Sequence, residues 1–111
     1  MSVLNETKKH TSLNRCRILG AHMEGPFLSE TYSGAHDVEC IRKPSVPALN
    51  EIIKGFEDDI ALMTLAPELK GSLEVISRLR ELNILVSLGH SSADFDLAMD
   101  AFNNGVTMVT H

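Results

Sequence analysis

Tryptophan is absent, and aromatic residues make up only 5% of the chain, so there is little here with which to stack nucleobases. Basic residues are also in short supply. Ten Lys and Arg face fifteen Asp and Glu, for a formal net charge of −5, and no Lys or Arg cluster interleaves with aromatics. These shortages argue against a nucleic-acid partner, although a local basic pocket could still hold a small phosphorylated ligand. The two cysteines, Cys16 and Cys40, have no CxxC spacing, so reduced thiols are expected. No apolar run approaches the length of a membrane span, and the polar stretch Met1 to Asn14 lacks the hydrophobic segment of a secretory signal. A soluble, cytoplasmic protein without a membrane partner is the expectation. GxGxxG, GxxxxGK[ST] and GxSxG are all missing, which removes the common nucleotide-binding and serine-hydrolase signatures.

What the 111 residues do contain is an alternation of short apolar runs and helical stripes. Residues 1–15 read as a disordered or loosely attached leader, rich in Thr, Asn, Ser and Lys. From residue 16 onward, Arg17–Glu24 reads as a strand that puts His22 and Glu24 on one face and Met23 on the other. A long loop, Phe27 to Pro44, follows; connections of this length in a compact domain are often functional. Ser45 can cap a helix with Pro47 in its first turn, and Leu49, Ile52, Ile53 and Phe56 form its apolar stripe. Ile60–Leu65 is a second strand, Gly71–Leu82 a second helix and Ile84–Leu88 a third strand. Ser91 or Ser92 is the expected cap of a third helix, on which Phe95, Ala98, Met99 and Phe102 recur at helical spacing. Asn103-Asn104-Gly105 stops it, and Val106–Thr110 is a fourth strand. This β-α-β-α-β-α-β order predicts an α/β fold with about four parallel strands and right-handed crossovers.

Each strand ends on a polar or metal-capable group. The runs are His22-Met23-Glu24-Gly25-Pro26, Thr64-Leu65-Ala66-Pro67-Glu68, Leu88-Gly89-His90-Ser91 and Val109-Thr110-His111. In a parallel sheet these ends gather at one edge, where α/β proteins place their chemistry. Taken singly, Glu24 reads as an exposed or capping carboxylate, and His90 as a satisfied core or cap-region imidazole. His111 alone carries still less. Together, one carboxylate and two imidazoles arriving on separate strands fit a divalent metal, Zn²⁺, Fe²⁺, Co²⁺ or Mn²⁺ rather than Ca²⁺ or Mg²⁺. His36, after Gly34-Ala35 in the long loop, is either a surface histidine or a group that touches a ligand over the sheet edge. Glu68 is either a carboxylate that hydrogen-bonds and orients a metal ligand or a structural hydrogen-bond acceptor near a helix start.

These same runs carry a family resemblance. From about Arg17 onward the chain resembles the N-acetylglucosamine-6-phosphate deacetylases of the amidohydrolase superfamily. The matching pieces are His22-Met23-Glu24-Gly25-Pro26-Phe27, Gly34-Ala35-His36, Thr64-Leu65-Ala66-Pro67-Glu68, Leu88-Gly89-His90-Ser91 and Thr110-His111. The resemblance implies that residues 16–111 form part of a (β/α)₈ barrel. It assigns Glu24, His90 and His111 to the catalytic metal, most naturally zinc, and places Ala35 and His36 against the substrate. The implied reaction is hydrolysis of an N-acetylated amino-sugar phosphate to acetate and glucosamine 6-phosphate, by a homo-oligomeric parent enzyme. The general-base Asp of that family lies on a later strand that the chain does not include, so this polypeptide is expected to be an incomplete, inactive piece of the barrel. Two other readings stay open: another amidohydrolase, of dihydroorotase or deaminase type, and a non-catalytic α/β module that self-associates.

Overall fold

The computed structural model describes residues 2–9 and 16–111. Four strands carry the architecture: β1 (Ala21–Glu24), β2 (Ile60–Leu65), β3 (Leu85–Leu88) and β4 (Met108–Val109). All adjacent pairs are parallel and the spatial order is β1-β2-β3-β4, the same as the chain order. A doubly wound sheet reverses direction at a switch point, whereas a barrel advances one strand at a time. These four strands advance without reversal, as expected for a partial (β/α)₈ barrel.

The connecting helices are α2 (Val46–Ile53), α3 (Ser72–Glu81) and α4 (Phe95–Asn103), preceded by α1 (Ser2–Lys9) near the start of the chain. Leu49 and Ile53 from α2, Val75, Ile76 and Leu79 from α3, and Ala101 from α4 pack with Met63, Leu65 and Val86 of the sheet in one buried cluster. Hence all three helices cover one face. Each fully buried aliphatic side chain in such a cluster contributes about 1.5–3 kcal/mol by leaving water.

Register explains what the other face holds. Met23, Met63 and Val86 are paired across β1, β2 and β3, and they point toward the helices. The alternate positions Glu24, Thr64 and Ser87 are paired across the same strands and point away. On that face His22 Nε2 hydrogen-bonds with Thr64 Oγ1 (2.7 Å), Thr64 with Thr110 (3.0 Å), and Ser87 with Thr110 (2.6 Å). This hydroxyl chain ties the four strand ends together. Among the described residues, no buried side-chain polar atom lacks a hydrogen-bond partner.

Several boundaries differ from the sequence expectation. The first strand spans four residues instead of eight, because pairing with β2 begins only at Ala21. The fourth is reduced to Met108 and Val109, since at the sheet edge it has one partner to define it. Helix α4 is capped by Asp94, whose side chain accepts from Leu97 N–H, and not by Ser91 or Ser92. Its apolar stripe is also largely uncovered. Phe95, Met99 and Phe102 are exposed and Ala101 is its buried residue, because the short edge strand β4 offers α4 little surface. In the leader, Ser2–Lys9 is helical and Lys8 Nζ lies 3.3 Å from Asp59 Oδ1; residues 10–15 lie outside the described residues. By contrast, Ser45 caps α2 as expected, accepting from Ala48 N–H at 3.1 Å, with Pro47 in the first turn.

Candidate metal centre

The end of β1 sets the site. Alternation places Glu24 on the face away from the helices, and Gly25 then turns the chain at φ +90°, a backbone angle that disfavours any side chain. Gly25 N–H donates to Thr64 O, which anchors that turn on β2. The carboxylate of Glu24 is thereby held over the C-terminal edge of the sheet.

Three imidazoles converge on it. His90 Nε2 lies 2.6 Å and His111 Nε2 2.8 Å from Glu24 Oε1, while His36 Nε2 lies 3.5 Å from Oε2. The His90 ring sits edge-on between the other two, with centroids 4.8 Å from His36 and 5.1 Å from His111. One ligand atom from each of Glu24, His36 and His90 lies within 4.8 Å of the others. His111 joins through the shared carboxylate oxygen, and its side chain is the most open of the group, 67% exposed against 12% for His90.

The four groups reach this point by different routes. His90 follows Gly89 at the end of β3, and Gly89 is needed there: a Cβ would sit 2.7 Å from Thr64 Cγ2 and 2.9 Å from Thr110 O. His111 follows Thr110, whose N–H donates to Leu88 O and whose hydroxyl enters the chain described above. His36 arrives on the long loop, in a turn closed by its N–H donating to Ser33 O. Ala35 beside it is exposed. The structure brings Glu24, His90 and His111 together, and His36 stands at the rim of the same cluster, 3.5 Å from the carboxylate.

Electrostatics follow from this packing. The Glu24 carboxyl is held down at about 2, chiefly by its hydrogen bond with His90 and then by that with His111. His90 is raised, first by the Tyr32 backbone carbonyl and then by Glu24. The Tyr32 carbonyl accepts from His90 Nδ1–H at 2.8 Å. That contact fixes the ring tautomer, so in the neutral ring the Nε2 lone pair faces Glu24 and is available to a cation. An anionic oxygen ringed by imidazole nitrogens is a donor set that suits a borderline divalent metal such as zinc. The residues present therefore fit such an ion. Tyr32 was not foreseen, because a backbone carbonyl leaves no mark on residue type.

No protein-family model matches the chain. Sequence comparison does find relatives. The N-acetylglucosamine-6-phosphate deacetylase of Bos taurus is 44% identical over 96 residues, which is 85% of this chain and 24% of that protein. The crystal structure of the Pasteurella multocida enzyme of the same name superposes with a TM-score of 0.81 at 35% identity, covering 99% of this chain and 28% of that one. The chain is related to the N-acetylglucosamine-6-phosphate deacetylases. A mutant of the Mycobacterium smegmatis deacetylase, solved in complex with N-acetyl-D-glucosamine-6-phosphate, matches with a TM-score of 0.78 at 33% identity, over 83% of this chain and 24% of that one. The chain spans about a quarter of the length of the curated relatives it matches.

Proposed function

We propose that the chain carries the metal-binding corner of an N-acetylglucosamine-6-phosphate deacetylase barrel, with residues 16–111 as the barrel unit and 1–15 as a leader outside it. The observation that carries this reading is the convergence of His36, His90 and His111 on the single carboxylate of Glu24. Salt-bridge geometry alone would not need three imidazoles from three separate segments. In this reading Glu24, His90 and His111 hold the cation, preferably Zn²⁺, with Fe²⁺, Co²⁺ or Mn²⁺ as chemical alternatives. When bound there, such a cation would supply Lewis acidity for amide hydrolysis.

The chain's own residues do the rest. Glu24 contributes the negative charge that offsets the cation. The Tyr32 carbonyl keeps the His90 ring in the tautomer that presents Nε2. His36, next to Ala35 at the rim, is placed to donate a hydrogen bond to the carbonyl oxygen as charge develops on it. Proton transfer to the leaving amine needs a further acid–base group. Among the described residues, the cluster's carboxylate is Glu24, already committed to the imidazoles, so this chain by itself should bind metal without turning over substrate. A cytoplasmic location and a homo-oligomeric parent enzyme go with this reading; the free, exposed thiols of Cys16 and Cys40 suit a reducing compartment.

A second assignment has its own support. The ligand atoms of Glu24, His36 and His90 are the trio that lies within 4.8 Å, which would make His36 the third ligand and leave the open His111 to the substrate. Zn²⁺ titration of H36A and H111A separates the two, since the variant lacking the true ligand loses the larger part of the affinity. The activity test is deacetylation of N-acetylglucosamine 6-phosphate with added Zn²⁺, by this chain beside one extended through the strands of its relatives. Activity in the extended chain alone supports the proposal. Inactivity of a folded, metal-loaded extended chain points to another amidohydrolase substrate.

A further inference from the structure

Glu68 stands outside the imidazole cluster, and its sequence position alone leaves open whether it supports a metal ligand or is a structural acceptor. It lies just past β2, in a turn that is itself well anchored: Ala66 N–H donates to Phe27 O and Ser72 Oγ donates to Ala66 O. From there its carboxylate spans to the loop after β3. Ser91 Oγ donates to Oε2 at 2.6 Å, while Ser92 N–H and Ser92 Oγ donate to Oε1 at 2.8 and 3.1 Å. All three bonds fall on the two residues that immediately follow His90.

His90 needs such restraint. Its φ is +49°, in the left-handed region, which is unfavourable for a residue bearing a Cβ. Conformations of that kind persist where the surroundings over-determine them. On the N-terminal side, Gly89 N–H donates to Leu65 O, and the His90 carbonyl accepts from Ser29 N–H. On the C-terminal side, the hydrogen bonds that Ser91 and Ser92 make outside their own loop all go to Glu68. Charge-assisted bonds from hydroxyl and amide to a carboxylate are the stronger kind.

We infer that Glu68 is a positioning residue for His90: by clamping Ser91 and Ser92 it holds the left-handed turn that aims Nε2 of His90 at the metal position. The inference rests on the metal reading proposed above for what His90 serves, while the clamp itself can be read without metal. The probes are Zn²⁺ titrated against a competing chelator, the Co²⁺ absorption spectrum, and the Nδ1–H proton resonance of His90 in metal-free protein. E68A should weaken Zn²⁺ binding about 10–100-fold, the range found when a group that orients a metal ligand is removed. It should also alter the Co²⁺ spectrum and broaden the His90 Nδ1–H signal at temperatures where circular dichroism shows the chain folded. E68Q, which keeps one acceptor oxygen, should fall between E68A and the parent. A residue that merely stabilised the fold would lower the melting temperature and leave the spectrum and the affinity of the folded protein alone. That result, or an unchanged His90 resonance, overturns the inference. If E68A does not fold, S91A and S92A each remove one hydroxyl from the clamp, and parent-like affinity and resonance in both overturn it equally. If the parent itself binds no Zn²⁺, the metal reading fails separately, and the His90 resonance in E68A still decides the clamp.

Discussion

Replacing His90 by alanine should separate metal binding from stability. In the metal-free chain the substitution removes the Nδ1–H bond to the Tyr32 carbonyl and the contact with Glu24. The Tyr32 contact is open to solvent, so water can replace it, and its loss should cost about 1 kcal/mol. For a chain of this size that is a melting shift of roughly 4–8 °C. With metal the consequence is larger. Four-ligand zinc sites bind with about 10–16 kcal/mol, or about 3 kcal/mol per ligand, so losing one donor weakens the affinity roughly 100-fold. At a Zn²⁺ concentration about 100 times the parent's dissociation constant, the parent gains about 2.7 kcal/mol from binding. At the same concentration H90A, with a dissociation constant near the free metal level, gains about 0.4 kcal/mol. Thermal melts with chelator and with Zn²⁺ should therefore show an upward shift of roughly 10–20 °C in the parent and only about 2–3 °C in H90A. An H90A shift equal to the parent's would remove His90 from the ligand set. No shift in either would dismiss the metal centre altogether.

Gly89→Ala should be costlier than an average glycine change, since its Cβ would meet Thr64 Cγ2 at 2.7 Å and Thr110 O at 2.9 Å. Overpacking of this kind costs about 1–3 kcal/mol; an unchanged urea midpoint would show that the strand ends are not closely packed. Metal-free stability should also depend on pH. Glu24 is held at about 2 against an ordinary 4.5, so its contribution is complete above 4.5 and is lost as pH falls toward 2. His90 is raised from 6.5, so its contribution is complete below 6.5 and fades as pH rises through its folded value. The stability difference between the parent and H90A, measured with chelator, should thus peak between about pH 4.5 and 6.5; a flat difference would contradict the pairing. Finally, among the described residues β1 and β4 each pair on one side only, and Leu85, Met108 and Val109 are exposed. Sedimentation equilibrium should show concentration-dependent association through these edges, and a strict monomer at high concentration would rule it out.

Much of this site was legible in residue order because strand ends and glycines are local signals. Glu24 before Gly25-Pro26, His90 after Gly89 and His111 after Thr110 each mark where an apolar run stops. A parallel sheet then necessarily brings those stops to one edge. Ser45 as a helix cap was legible for the same reason: the hydroxyl acts on the backbone three residues away. The cap of α4 was misplaced because Ser91, Ser92 and Asp94 are all capable, and only the distant Glu68 decides that the serines are occupied elsewhere.

The alternation of strands and helices, the parallel α/β class and the identity of the groups at the sheet edge follow from the sequence by itself, since period and turn chemistry act over a few residues. Tertiary structure alone decides that three imidazoles, His36 among them, share one carboxylate, that the Tyr32 carbonyl accepts from His90, and that Glu68 holds Ser91 and Ser92. Those relations join residues as far apart as Glu24 and His111. They depend on the register of four strands and the path of a long loop, which no local pattern encodes.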